Sequence, residues 1–144
     1  MSNKPALVIE DTDANRLFFE RLLTQAGFQV KGARSGAEAC SEMNAMSELS
    51  LAVIDMEVGD MNGLDLTMRL RARYPNACLV VATMHDEVSL MNSAFSRGCD
   101  VFMVKPHGFM ELFKRLTTTG CLSLHAARPL VIDQFGPREF KFAY

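Results

Sequence analysis

Tryptophan is absent from this 144-residue chain, and its four cysteines, Cys40, Cys78, Cys99 and Cys121, form no CxxC pair. That spacing argues against a redox dithiol or a cysteine-built metal site and for buried, reduced thiols. No apolar run approaches the roughly 20 residues that a membrane-spanning helix requires. The first ten residues, MSNKPALVIE, lack the long apolar centre of a signal peptide. Neither sign of charge dominates: 15 Lys and Arg against 17 Asp and Glu give a net charge of -2, which is no footprint for a nucleic-acid surface. These absences predict a cytoplasmic protein that binds neither DNA nor a membrane. Low-complexity segments and internal repeats are also missing, and 49% hydrophobic residues suit one compact domain.

What the chain does have is a regular alternation. Short apolar runs at Ala6 to Glu10, Phe28 to Ala33, Leu51 to Asp55, Cys78 to Thr83 and Val101 to Val104 read as strands, the second near a sheet edge. Helical spacing fills the intervals. Leu17, Phe18, Leu22, Leu23 and Ala26 lead to a stop at Gly27, and Ser35 with Glu38 makes a capping box for a second helix ending near Met46. A third helix, Leu64 to Tyr74, is closed by Pro75. Asp86 is expected to cap a fourth that runs through Arg97 to Gly98, and a fifth spans Gly108 to Thr117. Five strand and helix units in alternation predict a parallel α/β sheet with helices on both faces, doubly wound through right-handed crossovers.

The tail from Thr118 departs from this rhythm. TTTG reads as a helix stop, LVID and REFKFAY flank the turn residues QFGP, and Phe140 and Phe142 alternate. This pattern fits either a small β-hairpin or an arm lying on a partner subunit. Only about 27 residues follow Thr117, so no separate effector domain is expected and output is expected to run through protein contacts.

In open α/β sheets chemistry collects at the carboxyl ends of the strands. The first strand places Glu10 and Asp11 there, the third Asp55, the fourth Thr83 and the fifth Lys105. Three converging carboxylates repel, so one of them keeps its proton unless a cation intervenes. Mg²⁺, a hard ion that takes oxygen ligands and retains waters, is the economical choice. It leaves Asp55 ionised as a nucleophile toward phosphorus, with the Lys105 ammonium and Thr83 hydroxyl placed to serve the oxygens of the product.

On these residues the chain resembles the receiver domains of bacterial two-component response regulators. The resemblance covers about Pro5 to Leu116, giving a receiver domain over 1–120 and an extension over 121–144. It implies a flavodoxin-like, five-stranded sheet of order 2-1-3-4-5 with five helices. It also implies Asp55 as phosphoacceptor and Mg²⁺ held by Glu10, Asp11, Asp55 and the backbone carbonyl of Glu57. Thr83 and Phe102 match the switch pair, and Lys105-Pro106 the lysine-proline pair whose peptide bond is usually cis in that family. Asp60-Met61-Asn62-Gly63 resembles the loop after the phosphoacceptor.

The implied function is a phosphorylation-dependent switch. A sensor histidine kinase or phosphotransfer protein donates the phosphoryl group, Thr83 moves toward it and Phe102 swings inward. The face formed by helix four, strand five and helix five then meets a downstream protein or a second copy of the chain. Catalysis is at most self-phosphorylation from small donors and autodephosphorylation. Met84, Glu57 and His85 occupy positions that adjust access to the site and phosphoryl lifetime, and Gly59 replaces a common proline. A rival reading is a receiver-like interaction module that does not turn over phosphate. A remote one is a haloacid-dehalogenase-type phosphatase, whose DxD loop LAVIDMEVG superficially resembles, although here the strand is third and the second acid is glutamate.

Overall fold

The computed structural model describes residues 4–106 and 108–142, with residue 122 described in its backbone only. In chain order β1 (Lys4–Ile9), α1 (Asp13–Gln25), β2 (Phe28–Ala33), α2 (Gly36–Ala45) and β3 (Leu51–Asp55) come first. The short strands β4 (Glu57–Val58) and β5 (Met61–Asn62) precede α3 (Gly63–Arg73), β6 (Cys78–Thr83), α4 (Val88–Ser96) and β7 (Val101–Val104). The chain closes with α5 (Phe109–Thr118), α6 (Gly120–Ala126), β8 (Leu130–Asp133) and β9 (Gly136–Glu139). The main sheet runs β2-β1-β3-β6-β7-β8-β9, so the expected five-strand order forms its first five positions.

Side chains alternate across a strand, and here both sides are covered. Leu7, Ile9, Ala52, Ile54, Leu79, Val81, Phe102 and Val131 pack on one face with residues of α2, α3 and α4. Ala6, Val8, Val53, Val80, Met103 and Ile132 pack on the other with α1, α5 and α6. This two-sided burial explains why β3, β6 and β7 consist of unbroken apolar runs closed by one polar residue. Backbone and side-chain polar groups at the carboxyl edge are then the ones left near water.

Local signals were read correctly in part. Ser35 accepts from the Glu38 amide at 3.0 Å, but the Glu38 carboxylate lies 3.9 Å from Arg34 instead of reaching back as a capping box requires. Asp60, from the loop after β3, completes the cap by accepting from the amides of Gly36 and Ala37 at 2.7 and 3.0 Å. Asp86 does not cap α4: the N-cap is Glu87, still extended at φ -67, ψ 137, and no side chain bonds to the helix end there. The His85 amide is drawn back to the Thr83 hydroxyl at 3.2 Å, which delays the helical turn.

The tail is a hairpin, but it is neither free nor set apart from the sheet. TTTG ends α5, yet the chain re-enters a helix at once as α6, crosses over, and adds β8 parallel to β7 with Phe102 opposite Val131. β9 then folds back antiparallel on β8. Phe140 N–H donates to the Pro129 carbonyl at 2.8 Å, so the alternation of an antiparallel ladder turns the backbone of Pro137 and Glu139 outward. A proline on that outer row lacks a donor where a further strand would need one, which protects the edge.

Gly63 is where the backbone most needs a missing side chain. A Cβ there would stand 2.4 Å from the Asp55 carbonyl oxygen and 2.6 Å from Met56 Cα, so α3 approaches the end of β3 only because residue 63 has none. Gly63→Ala is expected to lower unfolding stability by about 1–3 kcal/mol, read from the urea midpoint at unchanged slope. An unchanged midpoint would show that α3 can retreat without cost.

Candidate functional site

Parallel pairing of β1, β3, β6 and β7 brings their carboxyl ends to one edge, with Ile9 opposite Ile54, Asp55 opposite Ala82, and Thr83 opposite Val104. The next residues of β1 and β7 are Glu10, Asp11 and Lys105. One carboxylate oxygen from each of Glu10, Asp11 and Asp55 lies within 4.8 Å of the others. Lys105 Nζ stands 3.3 Å from Glu10 Oε2 and 3.7 Å from Asp55 Oδ1. Asp55 Oδ1 also accepts from the Glu57 amide at 3.1 Å, which orients the carboxylate. Glu10, Asp55 and Thr83 are buried, whereas Asp11 is exposed. Oxygen donors of this number and charge suit a hard divalent cation that keeps some of its waters. The Lys105-Pro106 peptide is cis, as the family resemblance implied.

Burial and charge crowding act together on Glu10. Burial first, and the neighbouring Asp55 carboxylate second, push its carboxyl from an ordinary 4.5 up to about 7, against the opposing pull of Lys105.

The mouth of the site is framed by two loops. The Glu57 carboxylate meets His85 Nε2 at 2.6 Å, while His85 Nδ1 lies 3.8 Å from Glu87. Glu57 follows Asp55 by two residues and His85 follows Thr83 by two, so their contact joins the β3 and β6 loops. Met84 is 73% exposed. Gly59 lies beside Asp11, with space for a side chain: a Cβ would be 3.6 Å from Asp11 Oδ2. Phe102 is fully buried, in the same cluster as Phe95, Val131 and Phe140.

The family model described as the response regulator receiver domain matches residues 6–117. The chain belongs to that family. This receiver is 27% identical over 104 residues to the chemotaxis protein CheY of Thermotoga maritima, covering 72% of this chain and 86% of that one. It is 26% identical over 129 residues to a cyclic di-GMP phosphodiesterase of the same organism, covering 90% of this chain but only 32% of the longer protein. Receivers thus occur both nearly alone and as one part of a larger chain. In fold it is similar to a response regulator from Burkholderia pseudomallei solved with a phosphorylated aspartic acid, a calcium ion and citrate. The TM-score is 0.73 at 24% identity, covering 86% of this chain and 72% of that one. Among the described residues no helix is long and apolar enough to cross a membrane.

All the residues singled out at the strand ends meet in the receiver's edge, but sequence reading missed three features. Asp60 is a cap for α2, a role that only contact between distant loops creates. Cys78, Cys99 and Cys121 are buried as expected, but Cys40 is half-buried, with the Arg69 guanidinium 3.6 Å from its sulfur. His125 lies on α6 with Nδ1 3.0 Å from Oδ1 of the fully buried Asp100, a contact that its neighbours in the sequence do not signal. His107 falls outside the described residues.

The raised Glu10 carboxyl sets the sign of a pH effect. Between about pH 4.5 and 7 the folded protein holds a proton that the unfolded chain has released, so this group makes stability fall as pH rises through that window. At about 1.4 kcal/mol per pH unit the loss over this window is at most ~3–4 kcal/mol. Urea melts in chelator should show this component of the slope in the native sequence and not in Glu10→Gln. An identical slope in both proteins would assign it to another group.

Proposed function

We propose that this receiver is a phosphorylation-dependent switch in which Asp55 accepts a phosphoryl group from a sensor histidine kinase or phosphotransfer protein. The observation that carries this reading is the placement of Lys105 against both Asp55 and Glu10 within a group of three carboxylates at one sheet edge.

Each side chain has a part that its position supports. The Asp55 carboxylate is the nucleophile: its oxygen forms a bond to phosphorus as the bond from phosphorus to the donor's imidazole nitrogen breaks, and that nitrogen keeps the electron pair and takes up a proton. Glu10, Asp11, Asp55 and the carbonyl of Glu57 would hold Mg²⁺. Bound there, that ion supplies positive charge against the acids and the phosphoryl oxygens, which suits the oxygen-only donor set. Lys105, fixed between two carboxylates, offers its ammonium to an oxygen of the transferred group. The Thr83 hydroxyl accepts from the His85 amide and keeps its own proton to donate.

Output is read through α4, β7 and α5. Thr83 ends the strand before α4, and Phe102 lies on β7 under the same cluster, so a shift of Thr83 toward a phosphoryl group changes the packing on that face. A downstream protein or a second copy of the chain would meet that face. The reading needs neither nucleic acid nor a membrane.

Intact mass after incubation with acetyl phosphate and Mg²⁺ should show one added phosphoryl group, absent in Asp55→Asn. Lys105→Met should slow its formation by about 10²-fold, the usual loss for one charge-stabilising donor. No adduct from any donor would leave the interaction-module reading in place.

The Glu57 and His85 bridge over the mouth generates a second expectation. Cutting it in His85→Ala should speed acetyl phosphate modification several-fold by opening the approach and freeing the loops, measured by the same mass assay. A rate equal to that of the native sequence would make the bridge a surface contact without effect.

A further inference from the structure

The segment beyond the family match, α6, β8 and β9, is docked on the elements that bear the site. Leu130 N–H donates to the Asp100 carbonyl at 3.1 Å just before β7, and the β8 ladder follows β7 to Met103, two residues before Lys105. The Arg128 guanidinium donates to the carbonyls of Phe95 and Cys99 at 2.7 and 2.9 Å, tying the segment to the end of α4. Phe140 stacks on the Phe95 ring, with centroids 5.1 Å apart and planes at 28°. At the other end of β8 a Cβ on Gly108 would come within 3.0 Å of the Ile132 carbonyl, so the start of α5 also rests on this strand.

We propose that this segment is an intramolecular latch coupled to Asp55. A phosphoryl group on Asp55 loosens the hairpin, and unlatching the hairpin makes Asp55 a better acceptor. The inference rests on Asp55 being the phosphoacceptor.

The sign follows from the seating. With Asp55 unmodified, Val131, Ile132 and Phe140 are buried and the latch carbonyl and amide partners named above are satisfied. New anionic oxygens at Asp55 draw Lys105, and with it the end of β7, toward β3 and away from β8. In a close-packed interior any displacement of the seat removes contact, and the two faces of β7 cannot move independently of the ladder. Reciprocity then requires that weakening the latch favours phosphorylation by the same factor.

The test uses the full chain with Mg²⁺ and acetyl phosphate. Amide exchange of residues 130–139 should quicken by on the order of fivefold in the phosphorylated protein, and Phe140→Ala should raise the steady-state fraction modified at subsaturating donor. Phe142→Ala, at the half-exposed rim of the same aromatic cluster, should act in the same direction more weakly, and serves if Phe140→Ala does not fold. A phosphorylated protein whose hairpin exchanges as before, or latch variants modified no more readily than the native sequence, overturns the coupling while leaving Asp55 as acceptor. Absence of any adduct on Asp55 overturns both.

Discussion

The Lys105 ammonium, held 3.3 Å from Glu10 and 3.7 Å from Asp55, is the contact on which the rest of the site depends. Burial raises the cost of each carboxylate, proximity raises it again, and one cation only partly offsets the two, as the upward shift of Glu10 shows. A site balanced in this way has charge to spare for a divalent ion and a fixed donor for an incoming anion. The geometry comes from the sheet: β7 delivers the lysine and β1 and β3 deliver the acids because parallel strands all end at the same edge.

At its lateral edge, beside β7, the sheet extends past the five strands that the family resemblance implies. The outer edge of β7 carries β8, and Phe102, opposite Val131 in that ladder, is fully buried in the cluster that also holds Phe140. A partner that reads this face therefore meets α4 and α5 together with the hairpin, not an open strand. The loops at the mouth are joined by Glu57 and His85, and the His85 amide also donates to the Thr83 hydroxyl, so one residue of the β6 loop touches both.

Much of the fold was legible from residue pattern. Two-sided burial forces the strands of a parallel sheet to be apolar runs, and the polar residue ending each run marks the functional edge. The Gly and Pro stops of α1 and α3, and Ser35 as a cap, were local effects and hence visible. Asp60 as a cap for α2, Glu87 instead of Asp86 before α4, and the contact of half-buried His125 with Asp100 were not, because each depends on residues far apart in the chain or on a competing bond. The tail showed the alternation of a hairpin, but strand pattern alone does not say which edge the hairpin joins.

By itself the sequence determined the α/β class, the identity of the acids, lysine and threonine at the strand ends, and the family they resemble. These follow from periodicity and from what terminates each apolar run. Tertiary structure decided which charges touch, how far Glu10 is pushed toward holding a proton, and that the tail is built into the sheet beside β7. Those outcomes are set by distances and by exclusion of water between segments up to 95 residues apart, such as Glu10 and Lys105. No local pattern carries that information.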